Sequence, residues 1–157
     1  MAEAKQPHVL YYEDLAMGRI FRTSRLEVTA QEIVEFASRY DPQPFHLDLA
    51  GGEASIFGGL VASGWLTCAL TMRMMVQGQN SLAGGLIGLG AESLQWPNPV
   101  RPGDWIAATC EVVAMRSSTS RPSYGVVKIR TVTVNQDEKV VLSMVATQLV
   151  LRRVSVQ

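Results

Sequence analysis

Hydrophobic residues follow a helical period in the first half of the chain and a period of two in the second. Ile33, Phe36, Ala37 and Tyr40 fall on one stripe of a helix. Thr29 and Glu32 form a T-x-x-E capping box ahead of it. Pro42 disfavours helical geometry at Asp41, so this helix should end at Tyr40 or Asp41. A second helix is expected from Ser63, a suitable N-cap, to Gln77. Trp65, Leu66, Ala69, Leu70, Met72, Met74 and Met75 surround it almost completely, which predicts a helix buried on all sides. At about 1.5 Å per residue it is about 20 Å long. Before these helices, Tyr11 to Gly18 reads as a turn, and Arg19 to Val28 as a strand with Leu26 and Val28 on one face. Between them, Pro42 to Gly59 reads as a long loop with a short helical piece around Asp48 to Glu53.

From Leu86 onward the period changes. Leu86 to Gln95, Asp104 to Met115, Tyr124 to Asn135 and Val140 to Arg152 are predicted strands, and Ile106, Ala108, Cys110, Val112 and Ala114 alternate with a partly polar face. Turn residues stand at Arg101 to Asp104 and Asn135 to Glu138. Long strands joined by short turns form an antiparallel meander. The pattern predicts an α+β architecture in which a curled antiparallel sheet surrounds one buried helix, as a single domain over residues 1–157.

Composition narrows the class. With 157 residues the chain is long enough to bury a core without staples. At 47% hydrophobic and 18% charged residues, it lacks the signature of disorder. Fourteen basic residues balance fourteen acidic ones, so the basic stripe that nucleic acid requires is not expected. Sparse charge also suggests that part of the surface is buried against another subunit. Cys68 and Cys110 stand in apolar settings without a CxxC, which fits free thiols better than a disulfide or a metal site. Met1 to Val9 lacks the pattern of a signal peptide. The apolar stretch Trp65 to Val76 is broken by Arg73 and too short to span a bilayer. A cytoplasmic location, away from membranes, is the expectation.

Candidate chemistry concentrates in Asp41-Pro42-Gln43-Pro44-Phe45-His46, a carboxylate and an imidazole in a loop stiffened by two prolines. A rigid loop suits a catalytic pair, because small misplacements cost rate heavily. Asp41 also stands at a helix C-terminus, where the macrodipole disfavours its charge. The plainer alternative is an ordinary Asp–Pro turn with His46 bonded to the backbone. His8, the other histidine, lies in a segment expected to be loose. A second feature is Phe57 to Trp65, a glycine-containing approach to the buried helix. The N–H of Gly64 could polarise a carbonyl oxygen there, and Gly64 would let a ligand come close to the backbone. Alternatively the glycines serve packing and Ser63 is only a cap. Gly85 to Gly90 has its glycines in the reverse of the dinucleotide-binding order and precedes a strand, so a nicotinamide site is rejected. Arg116 to Pro122 is a polar turn whose arginines could meet phosphates, though a solvated hairpin loop is the preferred reading. Met72 to Met75 reads as core filling.

The stretch Phe36 to Gly64 resembles the MaoC-like dehydratase family, which includes the (R)-specific enoyl-CoA hydratases. Asp41, Pro44 and His46 match its D-x-N-P-x-H signature, and Val61-Ala62-Ser63-Gly64 its small-residue helix start. Gln95 to Asp104 resembles the family's PV-x-x-GD turn, and the likeness extends over about Tyr11 to Arg152. Gln43 stands where the family usually has Asn, Ser63 where many members have His, and Tyr40 where a small residue is common.

The resemblance implies a hotdog fold, a homodimer at minimum, an acyl thioester of coenzyme A or acyl carrier protein as substrate, and no metal or redox cofactor. It implies hydration of a 2-enoyl thioester, with Asp41 as base and His46 orienting water and relaying the proton, roles that could interchange. Gly64, with Ser63, would serve the carbonyl. Gln43, Phe57 and Arg121 are the candidate substrate contacts. Two rivals stand beside this reading. Many hotdog thioesterases carry a carboxylate on the central helix, but Ser63 to Gln77 contains none. A non-catalytic acyl-thioester binder or structural subunit would have no need of both Asp41 and His46.

Overall fold

The computed structural model describes residues 8–78 and 80–153. The expectations for Met1 to Pro7 lie outside the described residues. The chain from His8 onward opens as a strand, β1 (His8–Leu10), which pairs in parallel with β4 (Asn80–Leu82).

The main sheet is antiparallel and open. Its centre is the meander β6 (Trp105–Ser117), β7 (Tyr124–Val134) and β8 (Val140–Leu151). β5 (Ile87–Gln95) pairs with β8 and forms one edge. At the other edge the expected strand Arg19 to Val28 is instead two short strands, β2 (Ile20–Arg22) and β3 (Leu26–Glu27), both on β6. Thr23 marks the break: its Oγ1 accepts the Ala108 N–H at 2.9 Å, replacing a backbone partner of the ladder.

The inner face of β6 follows the predicted alternation through Ile106, Ala108, Cys110 and Val112, all buried. Beyond Val112 the register shifts by a bulge. The extra residue transfers the inward role from Ala114 to Met115, which packs against the Cys110, Val112 and Ile129 cluster. The strict alternation therefore ends one residue early.

α1 (Ala30–Tyr40) forms as predicted, with both halves of the Thr29–Glu32 capping box in place. It buries Ile33 and Ala37. In the segment after it, α3 (Leu49–Glu53) is the short helical piece expected, and α2 (Pro44–Leu47) is a helical turn where loop was expected. Pro44 occupies the first turn of α2, where its missing N–H costs nothing. Asp48 caps α3 by accepting the Gly51 N–H at 2.7 Å.

α4 (Gly64–Val76) crosses the inner face of the sheet. Leu66, Leu70 and Met74 pack with Val28, Ile33, Ile106 and Val141. Contrary to expectation, α4 is buried on one side only. Trp65, Ala69, Met72 and Val76 form an exposed apolar stripe at helical spacing. The methionines divide accordingly: Met74 is core, Met75 is half-buried and Met72 is exposed. Single-sequence periodicity finds apolar positions but cannot say whether this chain or another covers them.

Thr71 fixes the roll of the helix on the sheet. Its hydroxyl lies 2.9 Å from that of Thr133, and both residues are fully buried. Replacing either by Val strands the other hydroxyl, at a cost of about 1–3 kcal/mol. Thr71→Val and Thr133→Val should each lower stability by about that amount in urea denaturation, and the double variant by clearly less than their sum.

Candidate active site

The site begins where α1 stops. Asp41 leaves the helix with φ −152°, ψ 66°, its N–H still bonded to the Ala37 carbonyl. Pro42 prevents further helix, and Pro44 starts α2 three residues later, with His46 in its single turn. The two residues expected to pair do so: His46 Nε2 lies 3.4 Å from Asp41 Oδ2.

His46 is only 6% exposed. Its Nδ1 lies 2.7 Å from the Val61 carbonyl oxygen. A carbonyl can only accept, so Nδ1 carries the hydrogen, and in the neutral ring Nε2 is a bare acceptor facing Asp41. The backbone that supplies this carbonyl is pinned on both sides: Val61 N–H donates to the Phe45 carbonyl and Ala62 N–H to that of Val100. The Phe45 ring stands edge-on to the imidazole at 4.6 Å and contacts Phe57 at 5.3 Å. Arg101 closes this wall from outside, its Nη2 donating to the Phe57 carbonyl at 2.7 Å. The backbone-bonded alternative for His46 and the paired one are thus both true, through different ring nitrogens.

Asp41 is held by two donors. Ser63 Oγ donates to Oδ2 at 2.6 Å and Gln43 Nε2 to Oδ1 at 2.8 Å. The Ser63 hydrogen bond is the main reason that the Asp41 carboxyl lies below the usual carboxylate range; partial burial opposes it, and Gln43 and His46 reinforce it. Ser63 is therefore more than a cap. It is 1% exposed, accepts the Trp65 N–H at 3.2 Å, and orients the carboxylate at the same time. Gln43, expected to touch substrate, also braces Asp41.

Asp41, Gln43, His46, Phe57 and Gly64 share a cavity of about 350 Å³. The Gly64 N–H is the first of α4 and has no acceptor within the helix. The open approach expected above Gly64 is occupied on its Cα side by protein. The Trp96 indole stands so close that a Cβ on Gly64 would meet it at 2.6 Å. In the sequence Trp96 falls within the Gln95 to Asp104 turn, and nothing local marks it as Gly64's neighbour; its contact spans 32 residues. Arg121 is not at this site. It lies in the β6–β7 turn, where its N–H bonds Ser118 Oγ, at the far end of a 13-residue strand that at about 3.3 Å per residue spans on the order of 40 Å.

A model of the MaoC-like domain matches residues 14–135. The chain belongs to the MaoC-like domain family. Among solved structures, a MaoC-like dehydratase from Rhodospirillum rubrum is 47% identical, with 92% of this chain and 99% of that one covered and a TM-score of 0.88. An (R)-hydratase from A. caviae involved in PHA biosynthesis is 27% identical, with 88% and 98% covered and a TM-score of 0.70. A Mycobacterium tuberculosis protein with a double hotdog fold is 17% identical over 94% of this chain and 46% of that one, at a TM-score of 0.79. The sheet with α4 across its inner face is a hotdog fold, as the family resemblance implied.

The Ser63 bond has a measurable signature. Because Asp41 is depressed in the folded state, its contribution to stability is present above the ordinary carboxylate range and is lost as pH falls through the folded pKa. Ser63→Ala should raise the Asp41 pKa in a carbon-13 NMR titration of the carboxyl. At neutral pH it should cost at least the cap's share, about 0.5–2 kcal/mol. That deficit should shrink in acid, where Asp41 is neutral in both proteins.

Proposed function

We propose that the chain reversibly hydrates 2-enoyl thioesters to 3-hydroxyacyl thioesters. The observation that carries this reading is the pair of facing acceptors, Asp41 Oδ2 and His46 Nε2, 3.4 Å apart. With Nδ1–H directed to Val61, neither atom has a hydrogen to offer the other when the ring is neutral. A water that donates one hydrogen to each satisfies both and presents its lone pair to the cavity.

The reaction then balances on one water. Its oxygen adds to C3 while one of its hydrogens passes to His46 Nε2. The C2–C3 π electrons move onto the thioester as an enolate, whose oxygen takes the Gly64 N–H. The imidazolium returns its proton to C2, completing the 3-hydroxyacyl thioester. Asp41 holds the second hydrogen of the water and stabilises the imidazolium. This assignment departs from the first expectation of Asp41 as base. An imidazole is ordinarily more basic than a carboxylate, and the Ser63 and Gln43 donors reduce the basicity of Asp41 further. No step calls for a metal or redox group.

Support for the hydratase class comes from the family membership and from the (R)-hydratase among its structural relatives. α4 carries no carboxylate to activate water at the carbonyl carbon, which disfavours a thioesterase. The carrier is coenzyme A or an acyl carrier protein, and we place the protein in the cytoplasm. None of the helices described is long and apolar enough to cross a membrane.

Purified protein given crotonyl-CoA should remove the enoyl absorbance without releasing free thiol. Thiol release would instead indicate a thioesterase, and neither change a binder. Asp41→Asn and His46→Ala should each lower kcat by about 10²–10⁴. Their double variant should lose far less than the product, because both act on one water.

A homodimer is part of the same reading. The exposed stripe Trp65, Ala69, Met72 and Val76 runs along α4, and β5 leaves one edge of the main sheet open. Such surfaces are costly in water and seek cover. Sedimentation at micromolar concentration should give a dimer or larger assembly; a monomer would refute this.

A further inference from the structure

Besides the acid–base pair and other polar groups, the cavity lining includes the apolar side chains of Val61, Val100, Val141 and Trp96. Trp96 is the largest of these and is held from several directions. Its ring stands on the bare Cα of Gly64. Trp65 meets it edge-on, with ring centroids 5.3 Å apart. Pro97 and Pro99 stiffen the following chain, and Asn98 between them is tied to the Val140 carbonyl at 2.8 Å.

We propose that Trp96 is a specificity-determining residue that limits this site to short acyl chains, an inference that rests on the hydratase reading. The broad indole is a bulky apolar group on the cavity lining, a surface that suits a hydrocarbon chain. A cavity of about 350 Å³ lies at the small end of the range for ligand pockets, about 300–1,000 Å³. The attacking water and the thioester occupy part of it, leaving room for a short chain. A smaller residue at position 96 returns the volume of the indole to the chain.

The test compares the wild-type protein with Trp96→Ala and Trp96→Phe on trans-2-enoyl-CoA substrates from crotonyl to decenoyl. Wild type should show its highest kcat/KM on crotonyl- or hexenoyl-CoA and at least a tenfold loss by decenoyl-CoA. In Trp96→Ala the octenoyl-to-crotonyl ratio of kcat/KM should rise at least tenfold, since each newly accommodated methylene contributes about fourfold. Trp96→Phe should fall between, and it carries the test if the alanine variant does not fold. A folded variant with an unchanged ratio overturns the proposal. So does a KM raised equally at every chain length, which would put Trp96 against the carrier arm. Tryptophan fluorescence with saturated acyl-CoAs reads the same limit without turnover. Butanoyl-CoA should bind at least tenfold more tightly than decanoyl-CoA to wild type, and Trp96→Ala should erase that difference. Equal binding of the two by wild type would overturn the length limit even in a protein that hydrates crotonyl-CoA, and a protein that binds selectively but hydrates nothing would refute only the hydratase reading.

Discussion

Ser63 Oγ accepts the Trp65 N–H and donates to Asp41 Oδ2, so the start of the central helix and the orientation of the carboxylate are a single arrangement. Around it, the Val61 carbonyl two residues earlier sets the imidazole tautomer, and the Gly64 N–H one residue later is left without an acceptor in the helix. Four consecutive residues therefore supply the contacts that define the site. They can do so because Ala62 and Val61 are bonded to segments on opposite sides, Val100 and Phe45. The position of α4 on the sheet, fixed by its apolar face and by Thr71 against Thr133, is transmitted directly to the reacting groups.

The two carboxylate donors act in one direction, and burial acts in the other. An aspartate at the end of a helix, where the dipole opposes its charge, would ordinarily be a poor choice for a permanent anion. Here Ser63 and Gln43 compensate, which makes Asp41 a stable anion beside a ring that must become cationic in the proposed reaction. The geometry thus separates the two roles by environment.

What could be read from the sequence was whatever local chemistry decides. The T-x-x-E cap fixed one helix start, Pro42 its end, and strict alternation the inner face of β6 as far as Val112. Asp41 and His46 were legible because two prolines confine a short segment between them. The remainder depended on partners far along the chain. Ser63 as an orienting group needs Asp41 22 residues away. Trp96 above Gly64 requires the sheet to be assembled. The exposed stripe on α4 was misread as interior because apolar character records that a surface will be covered, without saying by which chain. The helical piece expected around Asp48 to Glu53 is α3, whereas α2 was missed because its 4 residues are too few to establish a period.

The bulge after Val112 has a geometric consequence for the whole end of the sheet. By adding a residue to β6 opposite a regular β7, it reverses which faces the last positions of the strand present. A one-residue deletion there would not simply shorten the strand. It would restore an unbroken ladder and so change the handing-on of direction to the turn at 118–123, whose return strand must still bring Gly125 against Tyr12. An irregularity in pairing thus keeps one cluster continuous across it: Met115 beyond the bulge joins Cys110 and Val112 before it, without a break in the backbone.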